Sequence, residues 1–249
     1  MFYSPRLRFR GFLFKCDMTR LSLDALRSVP YFSSLDAAAF ADITRHCAIR
    51  EYAAQELMMG HTDETRDVLF LLQGLARVSL YSADGQRVGF RDIAAGTIVG
   101  ELSAIDGLPR SASVECVEPC VAAVMRQPHF LAAIAQHPQF TMAVLRHLTG
   151  QMRSLTTRVF EFSTMAVRQR LRSELLRMAE KAAKGQGHAT LSPAPTHAEI
   201  ASRISTHREA VTREFAWLDA QGLVVKEGRA LKIPSLAKLR QLVEEDWAE

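Results

Sequence analysis

Leu145, Leu148, Met152, Leu155, Val159, Phe162 and Ala166 recur three and four residues apart, a seam of about three heptads that lays one apolar stripe along a single helix. A stripe this narrow suits a partner helix, so the spacing points to two copies of the chain pairing through it. The alternative is one long helix lying on its own preceding domain. Arg153, Arg158 and Glu161 fall off the seam. The seam also divides the chain, because the texture before Pro138 differs from everything after it.

Between Arg50 and Met125, short runs rich in β-branched and aromatic residues, such as "DVLFLLQG" and "LARVSLYSADGQRVGF", alternate with turn signals at Asp84-Gly85, Gly74, Gly96 and Gly107. Short strands at that spacing suggest a β-sandwich or barrel, of which a jelly roll is one form. Ahead of them, "SLDALRSVPYFSSLDAAAFADITRH" reads as short helices, with Ser34 and Asp36 as helix starts before Phe40 and Ile43. Residues 1–21 are a basic, aromatic arm, with neither a sustained apolar stretch nor a small-residue cleavage site; an upstream extension ahead of a natural start at Met18 is the alternative.

After the seam, "FSTMAVRQR" breaks the spacing as a hinge. A second amphipathic helix follows with Val167, Leu171, Leu175 and Met178 on one face, and "KAAKGQGH" links it to a small terminal unit. In "THAEIASRISTHREAVTREFAWLDAQGLV", Thr196 and Glu199 have capping-box spacing. Ser205-Thr206 interrupts the helix and Thr206 offers a second start. Val211, Phe215 and Leu218 then share one side, with Arg208, Glu209, Thr212 and Arg213 on the other. Two short helices about a tight turn are helix-turn-helix logic, and "VVKEGRALKI" fits a following hairpin turning at Glu227-Gly228. An ordinary helical hairpin with a solvated face remains the alternative, in which Glu209 merely completes a capping box with Thr206. Arginine, however, matches the guanine edge in two hydrogen bonds, and a carboxylate accepts from cytosine N4.

Composition excludes more than it selects. With 31 Lys and Arg against 27 Asp and Glu, the chain carries +4, which permits a nucleic-acid partner without requiring one. No apolar run reaches the roughly 18 residues of a membrane span. Cys16, Cys47, Cys116 and Cys120 form no CxxC pair, so zinc or iron–sulfur chemistry is not indicated, and incidental thiols in a reduced cytosolic chain fit better. His61 reads as a surface-loop residue.

One stretch stands out chemically. In "GELSAIDGLPRSASV", residues 100–114, one carboxylate and one guanidinium sit in an otherwise small and apolar run. Glu101 follows Gly100, and Arg110 follows a Gly-x-Pro turn.

This stretch resembles the phosphate-binding cassette of cyclic-nucleotide-binding domains, and the terminal unit resembles a winged helix-turn-helix. Together, from about Leu26 to Leu236, the chain resembles the cyclic-AMP receptor protein and fumarate–nitrate regulator (CRP/FNR) superfamily of bacterial transcription regulators. The resemblance implies an α+β chain: an N-terminal cyclic-nucleotide-binding β jelly roll over 22–138, a dimerisation helix over 139–166 and a C-terminal winged helix-turn-helix over 167–249. In the family, the residue matching Arg110 pairs with the ligand phosphate and that matching Glu101 accepts from the ribose 2′-hydroxyl. Gly100, Leu102, Ser103, Ser111 and Ala112 belong to the same cradle. An internal Glu101–Arg110 ion pair in a ligand-free relative is the alternative.

The resemblance also implies base contacts from the pairing helix, where Leu155 and Thr156 stand in place of the receptor's adjacent Thr and Ser, with Thr157 next; the base contact is therefore partly altered, and Thr156 and Thr157 are the candidates for it. The ligand expected is cAMP, with cGMP possible; the rival is redox or another small-molecule signal acting through Cys47, Cys116 or Cys120. DNA contacts fall on Thr196, Thr206, His207, Arg208, Glu209, Thr212 and Arg213, and the residues matching Arg208, Glu209 and Arg213 read TGTGA half-sites. The family's turn glycine is Ser205 here. Further implications are a homodimer, RNA polymerase as a partner, no metal, no membrane and a cytoplasmic location. An enzyme or kinase-regulatory module lacks support, since the chain has no P-loop or nucleophile motif.

Overall fold

The structure is a computed structural model that describes residues 23–81, 87–183 and 185–248. The expected N-terminal arm and the Asp84-Gly85 turn lie outside the described residues. A 3-10 turn, Leu23–Ser28, leads to α1, Ala37–Thr44, where the Asp36 carboxylate accepts from the Ala39 amide and so caps the helix.

Eight short strands follow: β1 Cys47–Tyr52, β2 Leu57–Met59, β3 Val68–Gln73, β4 Leu75–Tyr81, β5 Arg87–Ala94, β6 Ile98–Val99, β7 Ser113–Cys116 and β8 Cys120–Met125, with helix α2, Glu101–Asp106, between β6 and β7. They form two four-stranded sheets, ordered β1-β8-β3-β6 and β2-β7-β4-β5, with antiparallel pairing throughout. Alternation along β3 shows why they stack. Leu69 and Leu71 enter the core between the sheets with Val99, Val114 and Ala122, whereas Val68 and Phe70 point into a second core beneath the helices. Buried on both faces, β3 reads as a continuous apolar run rather than an alternating one. The second core is aromatic: Phe32, Phe70, Phe130 and Phe140 pack edge-on or tilted with ring centroids 4.9–6.3 Å apart.

Helix α3, Gln127–Gln136, leads into α4, Pro138–Thr164. The first turns of α4 sink Phe140 and Val144 into the aromatic core, and Leu148 packs partly against it. The expectation that the helix lies on its own domain is met for its first turns only. Its start lies on the chain's own β-domain, and its remainder carries the seam into the open, with Met152 70%, Leu155 56% and Val159 65% exposed. The seam is shorter than expected. Helix α4 stops at Thr164, and the Gln169 side chain takes the Ala166 amide at 2.7 Å, so Ala166 opens the next helix rather than closing this one.

Beyond the break at 165–166 come α5 Val167–Ala183, β9 Ala189–Leu191, α6 His197–Arg203, α7 Arg208–Ala220, β10 Val225–Glu227, β11 Ala230–Ile233 and α8 Leu236–Ala248. Strands β10, β11 and β9 make a small antiparallel sheet. Glu227 pairs with Ala230, so the turn is Gly228-Arg229, one residue later than the sequence suggested, with Gly228 supplying φ of 57°. The last turn of α8 reaches back across the break. Arg172 pairs with Asp246 at 3.0 Å, Gln169 donates to the Asp246 carbonyl at 2.9 Å, and Trp247 stacks on Phe160 of α4. No helix among the described residues is long and apolar enough to cross a membrane.

Candidate nucleotide and nucleic-acid sites

Helix α2 begins at Gly100, whose φ of 86° is left-handed. A Cβ there would lie 2.6 Å from both Arg110 Nη1 and the Asp67 carbonyl, so glycine is what lets Arg110 pass beneath the loop. Arg110 is 3% exposed and is tied down by three bonds: Nε to Thr65 Oγ1 at 3.1 Å, Nη1 to the Gly100 carbonyl at 3.0 Å and Nη2 to the Asp67 carbonyl at 2.7 Å. Its fork has five N–H donors, so two remain for a ligand. Glu101, 4% exposed, accepts from Gln151 Nε2 at 3.2 Å and lies 3.9 Å from His147 Nε2. The acid and the base are thus held separately, and the internal Glu101–Arg110 ion pair is not formed.

Both side chains open on a cavity of about 570 Å³, a volume suited to a drug-sized ligand. Residues 100–103 and 110–112 line it, which brings together all seven cassette residues singled out in the sequence. The opposite wall comes from helices far away in sequence: Gln151, Ser154, Leu155 and Arg158 of α4, with Arg177 and Lys181 of α5. Thr156 and Thr157 do not join it. Helical residues advance about 100° each, so 151, 154, 155 and 158 share a face that 156 and 157 leave. Their hydroxyls instead donate to the Met152 and Arg153 carbonyls on the exposed side.

A polar chain that sequence reading missed backs the cassette. Tyr31 hydroxyl accepts from the Ile98 amide at 3.4 Å and meets His147 Nδ1 at 2.9 Å, while His147 Nε2 touches Gln151 Nε2. Burial pushes the Glu101 carboxyl above its usual range, and burial together with nearby Arg91 brings His147 down to about 4. His147, held near 4, is neutral at physiological pH, so its approach to Glu101 is not an ion pair. The one local hint of this chain was the i, i+4 spacing of His147 and Gln151. Burial also raises the thiols, with Cys47 and Cys116 at about 12 and Cys120 shifted the same way. They are poor thiolates, which removes support for a redox sensor built on them.

In the C-terminal unit the Thr196–Glu199 capping box is complete, with Thr196 Oγ1 accepting from the Glu199 amide and Glu199 from the Thr196 amide. Ser205 takes φ of 50°, the left-handed turn its family glycine would supply. The second helix departs from expectation in its start. Thr206 is part-buried with its amide bonded to the Ala201 carbonyl, His207 holds the N-cap position of α7, and no side chain caps it. Glu209 therefore closes no capping box and is free for another role. Arg208, Glu209, Thr212 and Arg213 are exposed on one face, opposite Val211, Phe215 and Leu218 in the core. His207 and Thr196 are exposed beside them, and His197 Nδ1 holds Thr212 Oγ1 at 2.8 Å.

A β-sandwich with a cassette-lined cavity, joined through a long helix to a winged helix-turn-helix, defines a sensor and a DNA-binding unit in one chain, the class of the one-component transcription regulators. The cyclic nucleotide-binding domain family matches residues 49–137, and the Crp-like helix-turn-helix domain family matches residues 169–242. The chain belongs to the CRP/FNR superfamily of transcription regulators. It is 25% identical over 193 residues to the transcriptional regulator LdrP of Thermus thermophilus, covering 78% of this chain and 95% of that one. It is 22% identical over 189 residues to the cAMP-activated global transcriptional regulator CRP of Pasteurella multocida, covering 76% and 90%. Among solved structures, the c-di-GMP responsive global regulator CLP of Xanthomonas campestris superposes with a TM-score of 0.69 at 17% identity, covering 80% of this chain and all of that one, a likeness of fold alone.

Proposed function

We propose that this regulator is a homodimer that binds a cyclic nucleotide in the cassette cavity, cAMP in preference to cGMP, and then recognises a two-fold symmetric DNA site. In this reading residues 22–138 sense the ligand, 139–166 pair the subunits and 167–249 bind DNA, in the cytoplasm and without catalysis. The observation that carries it is the cassette itself. A buried carboxylate and a buried guanidinium with two spare donors stand apart at one end of a cavity of about 570 Å³, as a ribose hydroxyl and a cyclic phosphate require. The Ser111 hydroxyl and the loop amides at 111–112 suit the remaining phosphate oxygens.

Pairing through α4 is supported by the exposed stripe of Met152, Leu155 and Val159, which no element of the chain covers among the described residues. Arg208, Glu209 and Arg213 on the open face of α7 support TGTGA-like half-sites about one helical turn apart. Activation through RNA polymerase follows from the same family reading. Titration with cAMP and with cGMP, followed by calorimetry and by DNA binding, tests the proposal. Micromolar or tighter cAMP binding that raises DNA affinity supports it; cGMP acting alone reverses the preference, and neither nucleotide binding overturns the ligand assignment.

A further inference from the structure

The DNA-binding unit is not free of the β-domain. Helix α6 packs against β5, and two arginine–carboxylate contacts tie it to β4 and β5. Arg77 of β4 donates to Glu199 of α6 at 2.6 Å and also holds Asp92 of β5 at 2.6 Å, while Arg203 of α6 pairs with the same Asp92. These side chains are 11–28% exposed, so water screens them only partly. Burial pushes the Asp92 carboxyl up, and the Arg77 and Arg203 guanidiniums more than offset this, holding it below its usual range.

The network continues inward. Arg203 reaches Glu174 at 3.4 Å, Glu174 also receives Arg158 and Arg177, and Arg177 holds Glu161 at 2.5 Å. Four arginines meet four carboxylates, so the network is neutral as it stands. Asp92, Arg158, Glu174 and Arg203 also line the cassette cavity. The contacts run the length of α6, from Glu199 in its first turn to Arg203 at its last residue. In a helix-turn-helix the first helix crosses the DNA backbone. Any movement of the DNA-binding unit away from the β-domain must first break these contacts.

We infer that Arg77–Glu199 and Arg203–Asp92 form a latch that holds the DNA-binding unit against the β-domain, and that an anion filling the adjoining cavity releases it. The inference rests on the proposed nucleotide site and adds its mode of regulation. The ligand's one negative charge, held by Arg110, enters the cavity that Asp92 and Glu174 also line and repels both, so the neutral balance that closes the latch is lost. Ligand and closed latch then oppose one another, which is the differential affinity a population shift requires.

Arg77→Ala is the direct test, because Arg77 neither lines the cavity nor lies on the α7 face. Hydrogen exchange in the ligand-free variant should rise in α6 and β5 and stay unchanged in β3 and β8, whose protection reports an intact fold. DNA affinity without ligand should rise about 5-fold or more. Loss of a positive charge by itself weakens DNA binding, so a rise cannot come from charge alone. Arg77→Gln, which keeps a donor, should give a smaller effect and serves if the alanine variant misfolds. In wild type, cAMP or cGMP should loosen α6 as Arg77→Ala does. A folded variant with unchanged exchange in α6 overturns the latch, and a nucleotide that binds without loosening α6 overturns its release. If Arg77→Ala opens α6 and neither nucleotide binds, the latch stands and the nucleotide assignment falls.

Discussion

Arg110→Ala tests the cassette most directly, and the structure changes what the variant should do. The side chain is a tie as well as a phosphate ligand: its loss removes three donated bonds and leaves the Gly100 and Asp67 carbonyls without that partner beneath the loop. Hydrogen bonds from a charged donor contribute roughly 1.5–3 kcal/mol each. Burial opposes the charge of Arg110 itself, so the net loss of stability is set lower, at about 2–4 kcal/mol. In a chain of this size that lowers Tm by on the order of 10 °C. The two spare donors, at similar strength each, put the loss of nucleotide affinity at about 100- to 10,000-fold. The assay is calorimetric titration with cAMP and cGMP well below the variant's melting point, with circular dichroism confirming the fold. Arg110→Lys keeps the charge but loses the fork and should recover part of the affinity. Wild-type nucleotide affinity in folded Arg110→Ala refutes the phosphate role, and an unchanged Tm refutes the tie.

Val159→Asp should give monomers in sedimentation at micromolar concentration without loss of fold, since Val159 is 65% exposed; Leu148→Asp should instead unfold the β-domain, because Leu148 packs on its aromatic core. A dimeric Val159→Asp protein would count against pairing through α4. Binding-site selection should return TGTGA-like arms for wild type; Arg208→Ala and Arg213→Ala should each cost about 1–3 kcal/mol and relax one guanine position. Glu209→Ala should change the preferred base at one position, since α7 lacks a capping box for it to complete; identical logos would remove its base-reading role. His147 has a folded-state value near 4, below the ordinary 6.5, so its contribution is present above pH 6.5 and is lost as pH falls toward 4, on the order of 3 kcal/mol. Glu101 is raised, so its ionisation costs stability above its ordinary range, and Glu101→Gln should stabilise the ligand-free protein at neutral pH while weakening nucleotide binding. Urea melts of wild type and His147→Gln from pH 7 to pH 4 check the first; an equally steep loss in the variant would exclude His147 as its source.

What could be read from the chain before its fold was known is what neighbours in sequence decide among themselves. The cassette residues of 100–103 and 110–112 lie on one loop and one short helix, so they reach the cavity together wherever the domain places them. Thr196 and Glu199 satisfy each other's amides across one turn, and the polar and apolar faces of α7 follow from helical period alone. Small displacements appeared where two local solutions compete. Ala166 fits the seam but is taken by the Gln169 side chain, and Thr206 resembles an N-cap but its amide bonds to Ala201.

The tertiary structure alone decided which long-range partners meet. Glu101 finds Gln151 fifty residues away, Tyr31 meets His147 across 116, and Arg77 reaches Glu199 across 122. Nothing in the sequence marks such pairs, because any arginine can face any carboxylate, and desolvation is decided by which elements close over the group. Thr156 and Thr157 leave the cavity wall to Gln151, Ser154, Leu155 and Arg158 for the same reason: composition puts hydroxyls on the helix, but only packing sets which face looks inward.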